Sequence, residues 1–320
     1  MTLNGREIVP GASIGFALYP QDGDTLQALL MSADKAMYAA KQAGRGQYRF
    51  FDPEMNRAAA DWLEVGAELH HALERDEFEL HYQPKVDLQS GAITGVEALL
   101  RWHSPDMGLV SPAKFIPILE ETGLILEVGE WVIARACRQA RLWQEQGLPP
   151  LRIAVNLSPR QFQSRNLAER IRTLIDQPDF LPEFLELEIT ESMVMQNVER
   201  AIATLEQLRA LGVRIAIDDF GTGYSSLAVL KRFPVDCLKV DRSFVRDVPN
   251  DPDDVAITRS VIALAHSMGL SVVAEGVETE AQRAFLVDSQ CDEMQGFLFS
   301  KPLPAAELAV LFREKAALAA

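Results

Sequence analysis

From about Glu77 onward the chain alternates strand-length apolar runs with helical segments for about 240 residues, a pattern that restricts the fold more than any other feature. The strand candidates are EFELHYQPKV, GVEALLRW, LRIAVNLS, LELEITES, VRIAIDDF, CLKVDRS, SVVAEGV and MQGFLFS. Helical patterns lie between them near residues 115–122, 129–146, 198–211, 253–268 and 280–288. Alternating β and α predicts a parallel sheet, and eight strands predict a TIM-like (β/α)8 barrel. A doubly wound open sheet has the same periodicity, and the alternation alone does not separate the two.

The strand ends carry the chemical information. In a β/α barrel the functional groups sit at the C-terminal ends of the strands. Here Glu97 closes TGVEALLRW, Asn156 closes IAVNLS, and Glu188 and Glu191 punctuate LELEITES. Asp218 and Asp219 end IAIDDF, Lys239 and Asp241 lie in LKVDRS, Glu275 ends VVAEG, and Gln295 lies in MQGF. One such residue reads as a solvated rim group; so many in phase do not. Acids from five strands on one rim repel each other unless a cation joins them or their pKa values rise. Oxygen donors without a His/Cys cluster suit Mg²⁺ or Mn²⁺. The adjacent pair Asp218-Asp219 suits two metals sharing a carboxylate, an arrangement that cleaves phosphoesters, with Lys239 placed to orient water or neutralise developing charge.

Composition bears on the partner. The net charge is -15 over 320 residues, which argues against a binder of nucleic-acid polymers. An acidic chain acting on a phosphate ester needs cations, and metals together with Arg101 would receive the phosphates. The apolar fraction of 48% supports a sizeable core. Cys137, Cys237 and Cys291 show no metal spacing and suggest a reducing compartment. No apolar run is long enough to cross a membrane, so this segment is expected to be cytoplasmic without membrane contact. His70, His71, His81, His103 and His266 show no ligand spacing and read as surface or packing residues. Trp62, Trp131 and Trp143 fit helix faces.

The N-terminal part is thinner. Residues 1–52 read as a strand, ASIGFALYP, a turn, and a helix from about Thr25 to Gln42 ending in AGRG, with Lys41 and Arg45 near its C-terminus. So small a unit should leave an apolar face exposed. Asp52-Pro53 then starts a connecting helix over 53–75, with Asp52 as N-cap.

At these residues the sequence resembles the EAL family of cyclic di-GMP phosphodiesterases, from about Glu68 to Phe312, with the domain taken as 68–320. The blocks YQPKV, EALLRW, NLSPRQF, LEITES, DDFGTGYSSL, LKVDRSFV, AEGVET and MQGFLFSKP stand in family order. The resemblance implies a barrel whose first strand runs antiparallel, and metal-dependent hydrolysis of cyclic di-GMP to linear pGpG. It implies that Glu97, Asn156, Glu188 and Asp218 hold one metal and that Asp218 and Asp219 hold a second. Lys239 would assist the attacking water, and Glu275 would support the first metal. Gln83, Arg101 and Gln295 would lie against the dinucleotide or the metal site. Glu191 would hold the DDFGTGYSSL loop. Inhibition by Ca²⁺ and a homodimer are further implications. The rival reading is a receptor that holds cyclic di-GMP without cutting it. ASIGFALYP and ADKAMYAAKQAGRGQY resemble the C-terminal end of a GGDEF (diguanylate cyclase) domain; the loop that names that family is not in the sequence.

Overall fold

The eight strand patterns become eight strands joined edge to edge. They are β1 (Phe78–Asp87), β2 (Ile93–Ser104), β3 (Arg152–Asn156), β4 (Leu185–Thr190), β5 (Arg214–Phe220), β6 (Cys237–Val240), β7 (Ser271–Ala274) and β8 (Glu293–Met294). The structure is a computed structural model and describes residues 2–3, 6–7, 11–42, 46–176, 180–223 and 227–319. The expected helix stop at residues 43–45 and the YSS stretch of the DDFGTGYSSL loop lie outside the described residues.

Strands β2 to β8 pair in parallel in chain order. β1 closes the ring, antiparallel to β2 on one side and to β8 on the other. This is the closed α/β barrel with an antiparallel first strand; the open-sheet alternative is excluded. The eighth strand is shorter than MQGFLFS suggests. Past Gln295 the backbone meets the chain after β7 so closely that a Cβ on Gly296 would lie 2.0 Å from the Val277 carbonyl oxygen. The ladder ends there.

The helices around the barrel follow from spacing and caps. Ile125–Glu145 buries Ile125, Val128, Val132, Ile133, Ala136, Cys137, Ala140 and Trp143, one stripe at i, i+3 and i+4 intervals. Trp143 packs edge-on against Tyr82 of β1 at 4.8 Å, and its indole donates to the Ala305 carbonyl. Pro252–Ser267 starts at a proline, and Asp251 accepts the backbone N–H groups of Asp253 and Asp254, a cap that contributes about 1 kcal/mol. Thr279 and Gln282 form a capping box at the start of Glu280–Asp288.

A separate compact unit comprises Met1–Arg75 and Ser111–Thr122. In it the helix Leu26–Gln42 lies against a parallel pair, Ile14–Phe16 with Tyr48–Phe50. A Cβ on Gly15 would lie 1.9 Å from the Ala33 carbonyl oxygen, so only glycine allows this approach. The opposite sheet face is the exposed apolar surface expected from the sequence: Phe16 stacks on Phe50 at 5.1 Å with Tyr48 edge-on, all three largely exposed. The connecting helix spans Glu54–Ala72 and starts one residue later than expected: Pro53, not Asp52, holds the N-cap position, and Asp52, just outside it, accepts the Glu54 N–H through Oδ1. Pro112–Thr122, expected among the barrel helices, belongs instead to this unit, where Glu121 accepts from Tyr38 Oη and Asp61 pairs with Lys114. No helix among the described residues is long and apolar enough to cross a membrane. The three cysteines are buried and free.

Beneath the strand ends the barrel interior is filled with charge. Lys85 of β1, 2% exposed, donates to Glu186 Oε1 at 2.6 Å and to Glu188 Oε1 at 2.7 Å, both on β4. Arg152 bonds Glu293, and Arg152 and Arg214 approach Glu186 Oε2 at 3.8 and 3.6 Å. Small residues, Ala216, Cys237 and Val273, fill the space beside this ladder. Burial raises the Glu186 pKa, but Lys85, Arg152 and Arg214 outweigh it and hold the carboxyl at about 2. Its stabilisation is therefore complete above the ordinary 4.5 and is lost as pH falls toward 2. Glu186→Gln leaves buried cations undercompensated and is expected to cost about 3 to 5 kcal/mol in urea unfolding at pH 7. Below pH 4.5 the gap between variant and wild type should narrow; a gap that is constant with pH would show that Glu186 does not carry the charge.

Candidate functional site

Period-two alternation sends Glu97, Glu188, Asp218 and Lys239 to the barrel interior, while their strand neighbours pack outward. Glu188, Asp218 and Lys239 stand near their strand ends, but Glu97, expected to close its strand, lies in the middle of β2, which continues to Ser104. Asn156 is the last residue of β3, and Glu275 and Gln295 follow β7 and β8 directly, still in the ladder through Glu275 N–Val240 O and Gln295 N–Ala274 O hydrogen bonds. Lys239 is fully buried and stands among four acids. Its Nζ lies 2.6 Å from Glu188 Oε2, 2.6 Å from Glu275 Oε1, 3.2 Å from Asp218 Oδ2 and 3.8 Å from Glu97 Oε2. A second chain of bonds crosses Glu97: Asn156 Nδ2 donates to its Oε1 at 2.6 Å and Gln295 Nε2 to its Oε2 at 2.5 Å. Gln295 Nε2 also donates to Gln83 Oε1, and Gln83 Nε2 to the Ser300 carbonyl.

The charges are not balanced by side chains alone. Burial opposes ionisation of Lys239, but Asp218, Glu188, Glu275 and Glu97 together hold it well above its usual value, as an ammonium. Burial lifts Glu275 to about 8 in spite of Lys239, with Asp218 and Glu97 adding to the rise. Burial and then Glu97 also raise Glu188. Asp219 is lifted to about 6 by burial and by Asp218. Keeping all five carboxylates ionised requires positive charge beyond Lys239. Oxygen donors from four strands, with a buried Gln295 Oε1 that has no hydrogen-bond partner among the described residues, fit hard divalent cations.

Asp218 and Asp219 are consecutive, and a regular strand would send them to opposite faces. Here Asp219 adopts φ +54°, and the pairing of β5 with β6 is irregular between Ile217 and Phe220. That break leaves Asp219 close enough to Asp218 to feel its charge, although only Asp218 lines the cleft. Glu191 starts the short helix Glu191–Met195, is 2% exposed, and accepts the Gly221 N–H at 2.8 Å. A Cβ on Gly223 would lie 2.7 Å from Glu191 Oε1, so the loop after β5 is wrapped onto this carboxylate. Glu191 thus holds the described start of this loop, at Gly221 and Gly223.

Gln83, Glu97, Asp218, Glu275 and Gln295 line one cleft of about 250 Å³, with Asn156, Glu188 and Lys239 joined to them by the bonds above. Arg101 does not line it; its guanidinium donates to the Leu100 carbonyl. Sequence reading missed Arg242 and Phe297 at the cleft, and the ladder of Lys85 and Glu186 beneath it. Alternation carried a signal for the ladder: Lys85 is two residues from Gln83, and Glu186 two from Glu188, on the same strand faces. Phe297 is 51% exposed at the cleft with Lys301 over its ring; nothing in the sequence pattern marked it.

With this geometry in hand, comparisons with known proteins are specific. The sequence model of the EAL domain matches residues 67–302, and that of the GGDEF diguanylate cyclase domain matches residues 1–47. The bifunctional diguanylate cyclase/cyclic di-GMP phosphodiesterase MucR of Pseudomonas aeruginosa is 48% identical over 96% of this chain and 45% of its own length. The cyclic di-GMP phosphodiesterase PdeR of Escherichia coli is 42% identical over 93% of this chain and 45% of its own. The chain thus spans less than half of these relatives. A solved structure of the PaMucR phosphodiesterase in complex with c-di-GMP superposes with a TM-score of 0.74 at 48% identity, covering 77% of this chain and 99% of that one.

The loop contact gives a direct test. In Glu191→Gln the bond to the Gly221 N–H loses its charge, and charge-assisted bonds contribute about 1.5 to 3 kcal/mol. Amide hydrogen exchange at Gly221 should speed up by about tenfold or more, with exchange in β3 unchanged. Unaltered exchange at Gly221 would show that Glu191 does not hold the loop.

Proposed function

Because the chain belongs to the EAL domain family, we propose that its residues 67–302 hydrolyse cyclic di-GMP to linear pGpG with the help of bound Mg²⁺ or Mn²⁺. The observation that carries this reading is the convergence of Glu97, Glu188, Asp218 and Glu275 on Lys239, with Asn156 bonded to Glu97. The names of the relatives and the dinucleotide in the PaMucR structure supply the substrate class.

In this reading Glu97, Asn156, Glu188 and Asp218 would hold one metal, Asp218 and Asp219 would serve a second, and Glu275 would support the first. When bound, such ions supply Lewis acidity and lower the pKa of a coordinated water. The remaining work falls to the chain itself. Water adds its oxygen at phosphorus, the P–O bond to one ribose 3′ oxygen breaks, that oxygen takes up a proton released by the water to become the 3′ hydroxyl, and the product keeps a 5′-phosphate. Lys239, held as an ammonium, orients the water and offsets charge on the phosphoryl oxygens. Gln83 and Gln295, bonded to each other beside Glu97, position the dinucleotide, and Arg101 reaches a phosphate once it leaves the Leu100 carbonyl. Phe297 offers an exposed ring on which a guanine can stack. Glu191 fixes the loop that carries Asp219. Residues 53–75 connect this domain to the end of a cyclase-like domain in 1–52, to which no activity is assigned; the active form is a cytoplasmic homodimer.

Incubation with cyclic di-GMP and Mg²⁺ or Mn²⁺ should yield pGpG on chromatography. Glu97→Ala should reduce turnover to background, with the fold retained by circular dichroism. Ca²⁺ should suppress turnover, because its bonds of about 2.3–2.6 Å replace those of about 2.0–2.1 Å around Mg²⁺ and displace water and phosphate. Binding of cyclic di-GMP without turnover would overturn the enzyme reading in favour of a receptor, and full activity of Glu97→Ala would overturn the metal assignment.

A further inference from the structure

Two of the histidines that read as surface residues in the sequence are joined by the β1–β2 pairing. Glu79 and His81 alternate on β1, and His103 lies on β2 diagonally across from Glu79, which is opposite Arg101 in the register. The Nε2 atoms of His81 and His103 lie 2.7 and 2.5 Å from the same oxygen, Glu79 Oε1. One ligand atom from each of the three residues lies within 4.8 Å of the others. The face is open to solvent: the side chains of His81, Glu79 and His103 are 18, 43 and 50% exposed.

The cluster is firmly mounted. The ladder between β1 and β2 is regular from Phe78 to Lys85, and the His103 N–H bonds the Glu77 carbonyl. Behind it Phe78, Leu80 and Tyr82 are buried, and Trp102, fully buried, donates from its indole to Glu77 Oε2. Arg101, opposite Glu79, turns its guanidinium to the Leu100 carbonyl and forms no salt bridge with Glu79 among the described residues, although it lies near enough to attract it.

Two imidazole nitrogens and one carboxylate oxygen form a donor set different from the all-oxygen cluster around Glu97. Hard Mg²⁺ prefers oxygens, whereas Zn²⁺ and Co²⁺ take neutral imidazole readily; three protein ligands leave a fourth position for water. The two sites differ in their donors but adjoin along β1: six residues of β2, roughly 20 Å of strand, divide His103 from Glu97, while His81 stands two residues from Gln83 and opposite Leu99 at the cleft. We propose that Glu79, His81 and His103 form a second metal site, selective for Zn²⁺ or a similar borderline divalent ion, on the solvent-facing part of the β1–β2 ribbon. The sequence hides it because the histidines are far apart in the chain and only the strand pairing brings them to one carboxylate.

The test uses the full chain, stripped of metal and then held in excess Mg²⁺ so that the acid cluster is filled. Equilibrium dialysis against Zn²⁺ should show one equivalent more bound to wild type than to His81→Gln/His103→Gln. Co²⁺ should give a visible absorption band of a histidine-ligated four-coordinate ion, lost in the double variant and weakened in the half-exposed single variant His103→Gln. Circular dichroism and thermal melting establish that both variants fold. Retention of the full Zn²⁺ equivalent and the Co²⁺ band by the double variant would overturn the proposal. So would their loss in Glu97→Ala with the histidines intact, since that would place the ion in the acid cluster. Neither readout depends on hydrolysis of cyclic di-GMP.

Discussion

The barrel is organised around one carboxylate, Glu188, gripped from both sides by buried lysines. Lys85 holds Oε1 at 2.7 Å from below and Lys239 holds Oε2 at 2.6 Å from the strand ends. No part of Glu188 is exposed, and burial of an unpaired carboxylate would be prohibitive. The pairing therefore demands that β1, β4 and β6 keep their register to within a residue, since a slip of one would turn each of these side chains outward. An apolar interior would tolerate such a slip far better. The charged ladder makes closure of the ring a matter of electrostatics as well as hydrogen bonding.

This ladder divides the interior into two zones with opposite balance. Toward the strand starts, Lys85, Arg152 and Arg214 surround Glu186 and hold it ionised. Toward the strand ends one ammonium faces Glu97, Glu188, Asp218 and Glu275, and burial pushes some of them upward instead. Stability is drawn from the first zone. The second is electrostatically incomplete by itself, and that is where a cation-dependent reaction is proposed.

Much of this was legible in the sequence because it depends on alternation. Apolar runs separated by helical spacing located all eight strands, and polar residues near their ends marked Asn156, Glu188, Asp218 and Lys239; Glu97 was marked by the same pattern although β2 runs on past it to Ser104. What stayed hidden depends on departures from regularity or on pairing between distant segments. Asp219 joins Asp218 only through a positive φ, which no pattern announces. Strand β8 stops early because Gly296 meets the Val277 backbone. Pro112–Thr122 has the spacing of a barrel helix and sits in the other unit, since spacing reports an apolar face and not its partner. His81 and His103 become neighbours of one carboxylate only once β1 and β2 pair antiparallel.

That antiparallel pairing deserves a physical reason, and the ladder supplies one. With β1 reversed, its end, where Lys85 lies, is placed beside the starts of β2 and β8, and its start runs alongside the end of β2. Lys85 then enters the lower zone, two residues from Gln83 at the cleft, while Glu79 and His81 continue the same strand face outward beyond it. A parallel β1 with the same sequence would invert this order, sending the lysine to the rim and Glu79 and His81 into the buried end, where an ionised Glu79 would be penalised. The direction of the first strand thus assigns one continuous face to three environments: a buried cation, a polar contact at the cleft, and a solvent-facing cluster with its own ligand chemistry.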